Sequence, residues 1–218
     1  MTKGRPEPNF IAGAPGLDFL NSIATPVDVA VDWIASGDDF LCWMELAGLL
    51  PADTAAKFRK SALPGELGAV AAQARALREW FRDFVVAHMG EPLKPNALSK
   101  LDSLNRLLAR DEAFDQIVTR DKDARGETAL SLQLLQRRRW RSLDALLLPI
   151  AEALADVVCK VDFSSIKACE GAACTLLYID PTRARARRWC SMAVCGNRWK
   201  QAAYRARKKK QRKRRVTS

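Results

Sequence analysis

The spacing of apolar residues changes period several times along the chain, and each change marks an element. Between Gly65 and His88, the residues Leu67, Val70, Ala74, Leu77, Phe81, Phe84 and Val85 recur at intervals of three and four. Arg75, Glu79, Arg82 and Asp83 fall between them. That period predicts one long amphipathic helix, closed by Gly90 and Pro92. The same period starts at Asp38 with Phe40, Leu41, Met44 and Ala47, where Asp38 or Asp39 is the expected cap and Gly48 with Pro51 the stop. Asn96 is expected to cap a helix that carries Leu98, Leu101, Leu104, Leu107 and Leu108 on one side. A further helix is predicted from about Trp140 to Lys160, with Pro149 kinking it or opening a second segment.

Two stretches read differently. Ile117-Val118-Thr119 and Ala129 to Leu134, separated by the polar run Arg120 to Glu127, predict a β-hairpin. Near the start, Phe10 to Gly13 and Leu17 to Asn21 are short apolar runs split by Ala14-Pro15-Gly16, which suggests a second, brief hairpin. Asp162-Phe163-Ser164-Ser165 reads as a linker. The expected class is α+β: a mainly helical N-terminal domain with a small β component, followed by a small C-terminal module. The expected boundaries are 1–162 for the body, 163–209 for the module and 210–218 for a disordered basic tail. The apolar stripes of the body predict that it folds without the module.

Composition adds a core and a direction. Hydrophobic residues make up 48% of the chain, enough for a substantial core. The longest greasy stretch, Leu143 to Cys159, contains Asp144, Glu152 and Asp156 and is too short to span a bilayer. Met1 to Pro6 has no apolar run of the export type, so a cytoplasmic protein is expected. The net charge of +11 conceals an asymmetry: Pro181 to Ser218 holds 15 Lys or Arg and no acid, which leaves the rest at −4. Such polarity points to a polyanionic partner.

Four of the six cysteines fall in 27 residues, spaced Cys169-x4-Cys174-x15-Cys190-x4-Cys195. Two short pairs at this separation suit the tetrahedral coordination of one structural zinc ion. No histidine lies in the window, so the site is expected to be closed by four thiolates. Glu170-Gly171-Ala172-Ala173 supplies a turn and Thr175 to Ile179 a strand. Asp180-Pro181-Thr182 reverses the chain, and Cys195-Gly196 opens a helix, the order of a treble-clef-like zinc finger over residues 163–209. Cys42 and Cys159 stand apart within helical patterns.

On that last helix Trp199, Ala203 and Ala206 share a face that can pack on the hairpin. Arg198, Arg205 and Arg212 share another, flanked by Lys208. With Asn197, Lys200 and Lys209 they are the candidate contacts to phosphates or base edges. Arg183, Arg185, Arg187 and Arg188 precede Cys190 and join this set. Trp189 and Trp199 bracket the second cysteine pair and are expected to pack in the module. Beyond about residue 209 the density of like charge predicts disorder.

Arg188 to Arg198, through Cys195-Gly196-Asn197-Arg198, closely resembles the CGNR zinc finger, and the Cys169-x4-Cys174 pair and Asp180 match its layout. Gly16-Leu17-Asp18-Phe19-Leu20-Asn21 resembles the opening of the ABATE domain that precedes such fingers, with Ser22 where a Thr commonly follows. The resemblance implies a bacterial, stress-linked transcriptional regulator whose N-terminal domain binds a small effector. Asp18 and Asn21 are the candidate ligand residues, against the alternative that they serve turns.

His88 is the only histidine, so no Ser/His/Asp triad is available, and no glycine-rich phosphate loop occurs. A non-enzymatic, DNA-binding regulator is the first reading. An RNA-binding protein, or an enzyme that uses the finger as a targeting module, are the alternatives. Target sequence, effector identity and oligomeric state are open at this stage.

Overall fold

A computed structural model describes residues 5–25, 29–119 and 131–216, with side chains to residue 208. The first element is a helix. Pro15–Leu20 forms α1, with Pro15 in its first turn, where a missing N–H costs nothing. The expected hairpin around Ala14-Pro15-Gly16 is therefore absent: the Pro-Gly pair starts a short helix and does not turn a ribbon. Gly16 is needed because α1 lies directly on a later helix, α6 (Leu148–Lys160), where a side chain at 16 would collide with the Ala153 carbonyl. Two-residue strands β1 (Ile23–Ala24) and β2 (Val31–Asp32) pair antiparallel.

Helix α2 (Gly37–Leu46) is capped by Ser36, whose hydroxyl accepts from the Asp39 amide. The cap thus lies just before the expected Asp38 or Asp39, and both acids occupy the first turn. Helix α3 (Ala52–Ser61) follows. Helix α4 (Glu66–His88) matches the predicted stripe and turns Val70, Ala74, Phe81, Phe84 and Val85 inward. The sequence offers no cue for Arg78, which is as buried as they are. Asn96 does not cap a helix: Pro95–Leu101 is a 3-10 segment, and α5 (Asp102–Leu108) begins after it. The expected helix from Trp140 divides at Pro149. A 3-10 turn, Leu143–Leu147, precedes α6, and Pro149 takes an N-terminal position within it.

Strands β3 (Ala113–Thr119) and β4 (Leu132–Arg138) form the predicted antiparallel ribbon, in register from Ala113↔Arg138 to Thr119↔Leu132. The turn expected at Arg120 to Glu127 lies outside the described residues. Last come β5 (Ile166–Ala168), β6 (Leu177–Ile179) and α7 (Asn197–Val216). The α7 backbone is helical through Val216, so the segment expected to be disordered past 209 continues the helix. Lys, Arg and Gln are good helix formers, and solvent weakens the repulsion among their charges.

One hydrophobic core runs through everything but the ribbon and α7. Phe163, Ile166, Leu177 and Tyr178 belong to the same cluster as Leu17, Phe19, Phe81 and Val157. Phe163 sits edge-on to Phe84, and its carbonyl accepts from the Gly90 amide, so the expected linker is a packed joint.

Candidate metal centre and nucleic-acid interface

Strands β5 and β6 pair as Ile166↔Ile179, Lys167↔Tyr178 and Ala168↔Leu177. The Cys169 amide extends this ladder to the Leu176 carbonyl at 3.0 Å, and the Cys174 amide closes a turn on Gly171 at 2.9 Å. The first cysteine pair therefore sits at the tip of a hairpin. The sequence suggests a knuckle followed by a hairpin that turns at Asp180. The strand after the knuckle instead pairs backwards, with residues that directly follow the supposed linker. Asp180 does shape a turn: its carboxylate accepts from the Thr182 hydroxyl and amide and from the Arg187 amide, and lies 3.4 Å from Lys167 Nζ. These donors hold the buried Asp180 carboxyl well below the usual range.

The returning chain crosses the knuckle through Glu170 N–H to Arg188 O, 2.9 Å. That places Cys190 beside Cys169, whose sulfur accepts from the Cys190 amide at 3.3 Å. Cys195 comes from a π-helical turn, Met192–Gly196, that leads into α7. All four sulfurs lie within 4.8 Å of one another, with Cys174–Cys190 at 3.7 Å and Cys190–Cys195 at 3.6 Å. A tetrahedral ion with bonds of about 2.3 Å needs sulfurs about 3.8 Å apart. The donor set and the spacing thus fit one structural zinc ion held by Cys169, Cys174, Cys190 and Cys195. Cys42 and Cys159 are not part of the cluster.

The protons of the bare thiols are strongly redistributed. The hydrogen bond between Cys174 and Cys190 lowers Cys174 to about 5, while the same bond and burial push Cys190 far up. Burial raises Cys195 to about 12. Four thiolates so close repel one another, and a dication relieves that repulsion. The knuckle leaves no room for a side chain at 171: a Cβ there would stand 3.1 Å from Cys174 Cβ and 3.2 Å from Cys195 Sγ. Gly171→Val should therefore weaken zinc binding by about 10–100-fold in a chelator competition, as displaced supporting groups do. Unchanged affinity would mean that the knuckle yields.

The expected nucleic-acid contacts divide into two groups. Arg187 turns inward. Its guanidinium donates to the Trp189, Cys190 and Ile179 carbonyls and lies 4.2 Å from the Tyr178 ring centre. The Tyr178 hydroxyl in turn donates to Arg187 O. Arg187 thus serves as a scaffold residue, because the carbonyls around the ligands need a donor. Arg185 pairs with Asp162 at 2.6 Å, and Arg188 pairs with Glu170 at 2.6 Å while lying over Trp189 and Trp199. The Asn197 amide is occupied by the Ala193 carbonyl.

By contrast Arg183, Arg198, Lys200, Arg205 and Lys208 are exposed and make no ion pair among the described residues. Lys209 and Arg212 lie on the α7 backbone, and their side chains fall outside the described set. Trp199 meets Trp189 at 5.5 Å, but Ala206 is exposed, so the apolar face of α7 packs only near its start. Arg198 and Trp199 line a cleft of about 200 Å³ against the knuckle.

Asp18 and Asn21 both have partners within the protein. Asp18 is buried and accepts from the Ala12 amide, and burial raises its carboxyl to about 6. Both polar atoms of the Asn21 amide are taken by one residue, with Nδ2 donating to Leu177 O at 2.8 Å and Oδ1 accepting from Leu177 N at 2.9 Å. The Ile179 amide donates to Ala12 O, and Arg82 donates to the carbonyls of Leu20 and Thr175. Four backbone groups of the finger, on Thr175, Leu177 and Ile179, are thus anchored on α1 and its flanks or on α4. Sequence reasoning misses this joint because its partners lie 156 positions apart. Asn21→Leu should cost roughly 2–4 kcal/mol by urea unfolding, since two buried backbone groups lose their partner. A loss under about 0.5 kcal/mol, the ordinary surface value, would show the joint to be dispensable. A separate open cavity of about 490 Å³, lined by Phe58, Glu66, Val70, Gln73, Arg141 and Asp144, lies between α3, α4 and the 3-10 turn before α6.

A helical body thus carries a four-cysteine module from which a basic helix leaves. The ABATE family model, described as "Putative stress-induced transcription regulator", matches residues 13–161, and the CGNR zinc finger model matches residues 165–208. The chain belongs to the ABATE family and carries a CGNR zinc finger. No curated protein matches it. Among the described residues, no helix is long and apolar enough to cross a membrane.

Proposed function

We propose that this chain is a DNA-binding transcriptional regulator, in which residues 163–209 contact DNA and residues 1–162 hold the finger and receive the signal. One observation carries the reading. The helix that leaves the metal centre presents exposed cations without a counter-charge, and no acid occurs from Pro181 onward. Arg198 stands three residues past Cys195, on the turn whose position the metal fixes. Arg205 and Lys208 follow on the length of α7 beyond the metal centre. A small-molecule effector of the body fits the 490 Å³ cavity better than the occupied Asp18 and Asn21.

Binding to phosphates by Arg183, Arg198, Lys200, Arg205, Arg207 and Lys208 should give a slope of log K against log salt of about −5, from roughly 0.9 per contact. Arg198→Ala should cost about 1–3 kcal/mol on a preferred duplex and less on random DNA. Arg187→Ala should instead loosen the metal centre itself. Tighter binding to structured RNA than to duplex DNA in direct competition would overturn the DNA assignment. A finger that binds neither at low salt would overturn the reading as a whole.

A further inference from the structure

The cleft between the cysteine knuckle and α7 is walled by small side chains and one large ring. Ala172 and Ala173 come from the knuckle, and Trp199 and Ala202 from the first turns of α7. Trp199 is 45% exposed, yet its ring is supported: Trp189 meets it at 5.5 Å, and the Arg188 guanidinium lies 5.3 Å from its centre. At about 200 Å³ the cleft is smaller than the roughly 300–1,000 Å³ of a site for a drug-sized molecule. It suits one flat ring system.

The polar groups narrow the choice. Arg198 lines the cleft and makes no ion pair among the described residues. No carboxylate lines it, and the knuckle's own acid, Glu170, is taken by Arg188 at 2.6 Å. A free guanidinium fork is best met by two acceptors side by side. An anion would offer them, but Cys174 and Cys195 also line the cleft. A zinc ion with four thiolates keeps a net negative charge, which turns a phosphate away from its depth. A neutral ring with two adjacent acceptors meets both conditions, and guanine sets O6 and N7 on one edge.

The course of α7 says where that ring comes from. Arg205 lies two turns beyond Arg198 on the same side, about 10 Å along the axis, with Ala202 between them. Both arginines are exposed. A polyanionic strand laid along this side passes the cleft, with its phosphates outside.

We propose that the cleft takes one unpaired guanine of bound DNA, with its face on Trp199 and its O6/N7 edge on Arg198. The inference rests on the DNA-binding reading above and narrows it. A base inside a duplex shows only its edges, so it has to leave the stack to lie against an indole. Leaving costs least where the base is already unpaired. The finger therefore prefers DNA opened or bulged at a guanine over the same sequence fully paired.

The test uses the zinc-loaded full chain and short DNA duplexes with one bulged guanine, one bulged thymine or no bulge. The bulged guanine should bind at least about tenfold tighter than the paired duplex, from stacking and the two-pronged edge contact. A fluorescent guanine analogue at the bulge should be quenched on binding. Ala202→Leu fills the cleft from an exposed position of α7 and should abolish both the preference and the quenching, with zinc content unchanged. Arg198→Lys keeps the charge but not the fork, and should remove the preference for guanine over thymine. Equal binding to bulged and paired duplexes would overturn the inference and leave the DNA-binding reading standing. So would a preference that survives Ala202→Leu. A bulged thymine bound as tightly would overturn the match of Arg198 to guanine, and tighter binding of the same bulge in RNA would overturn DNA as its source. Binding to no nucleic acid at low salt would overturn the DNA-binding reading and this inference together.

Discussion

Serine at Cys169, Cys174, Cys190 or Cys195 should abolish zinc binding, and the loss should be felt well outside the finger. Structural zinc contributes about 10–16 kcal/mol of folding free energy in finger-sized segments, far more than the few apolar side chains of residues 163–208 supply alone. The stretch from Phe163 to Tyr178, however, is packed against α1 and α4. Once the knuckle opens, Leu177 loses its strand partner and Asn21 loses both its bonds. Elemental analysis should find about one zinc in the full chain and in the Cys42→Ser and Cys159→Ser variants, and almost none in the other four. Chelation should lower the melting temperature of the helical signal as well. Full zinc in any of the four variants would refute the ligand assignment, and an unmoved helical melt would show that the finger unfolds alone.

Arg78→Met should cost about 3–5 kcal/mol, the usual effect of removing one partner from a buried ion pair. The Arg78 guanidinium is 2% exposed. It forms a two-pronged bond to Asp32 at 2.9 Å for each prong and also donates to Ser22 Oγ and Glu79 Oε1. It thus ties α4 to the turn after α1 and to β2. Burial works to raise the Asp32 carboxyl, but Arg78 outweighs it, and the net shift is downward. A carboxyl lowered on folding adds stability above its unfolded value, near 3.8, and that stability is lost as pH falls through the folded value. Urea unfolding of Arg78→Met should therefore differ most from the parent near neutrality, and the gap should narrow in acid. A loss below about 1 kcal/mol at neutral pH, typical of an exposed pair, would show that water already serves Arg78.

What the sequence reveals, and what it hides, follows from distance along the chain. The four zinc ligands are legible because two equal spacers and a known coordination number leave little freedom. Helix α4 is legible because 23 residues hold many turns of one period. The ribbon is legible from its branched and apolar runs. Helix α1 is not, because six residues are too short to show a period and Pro-Gly is also a turn signal. Arg78 is hidden because a charged residue on a helix is ordinarily solvated, and two of its partners, Asp32 and Ser22, lie 46 and 56 positions away. Arg187 is hidden for a related reason: it stands among arginines that do face solvent, and nothing local separates it from them.

The double clasp of Asn21 on Leu177 also limits how this finger can be used. Many fingers behave as cassettes that can be cut from one protein and placed in another. Residues 165–208 cannot be lifted so cleanly. The excised piece would carry Ile166, Leu177 and Tyr178 with their inner faces bare, and the donor would keep a polar amide facing an empty seat. A working transplant has to bring Ala12 to Asn21 along with the finger. The smallest portable unit is the finger together with the short helix and the stretch of α4, around Arg82 and Phe84, on which it is seated.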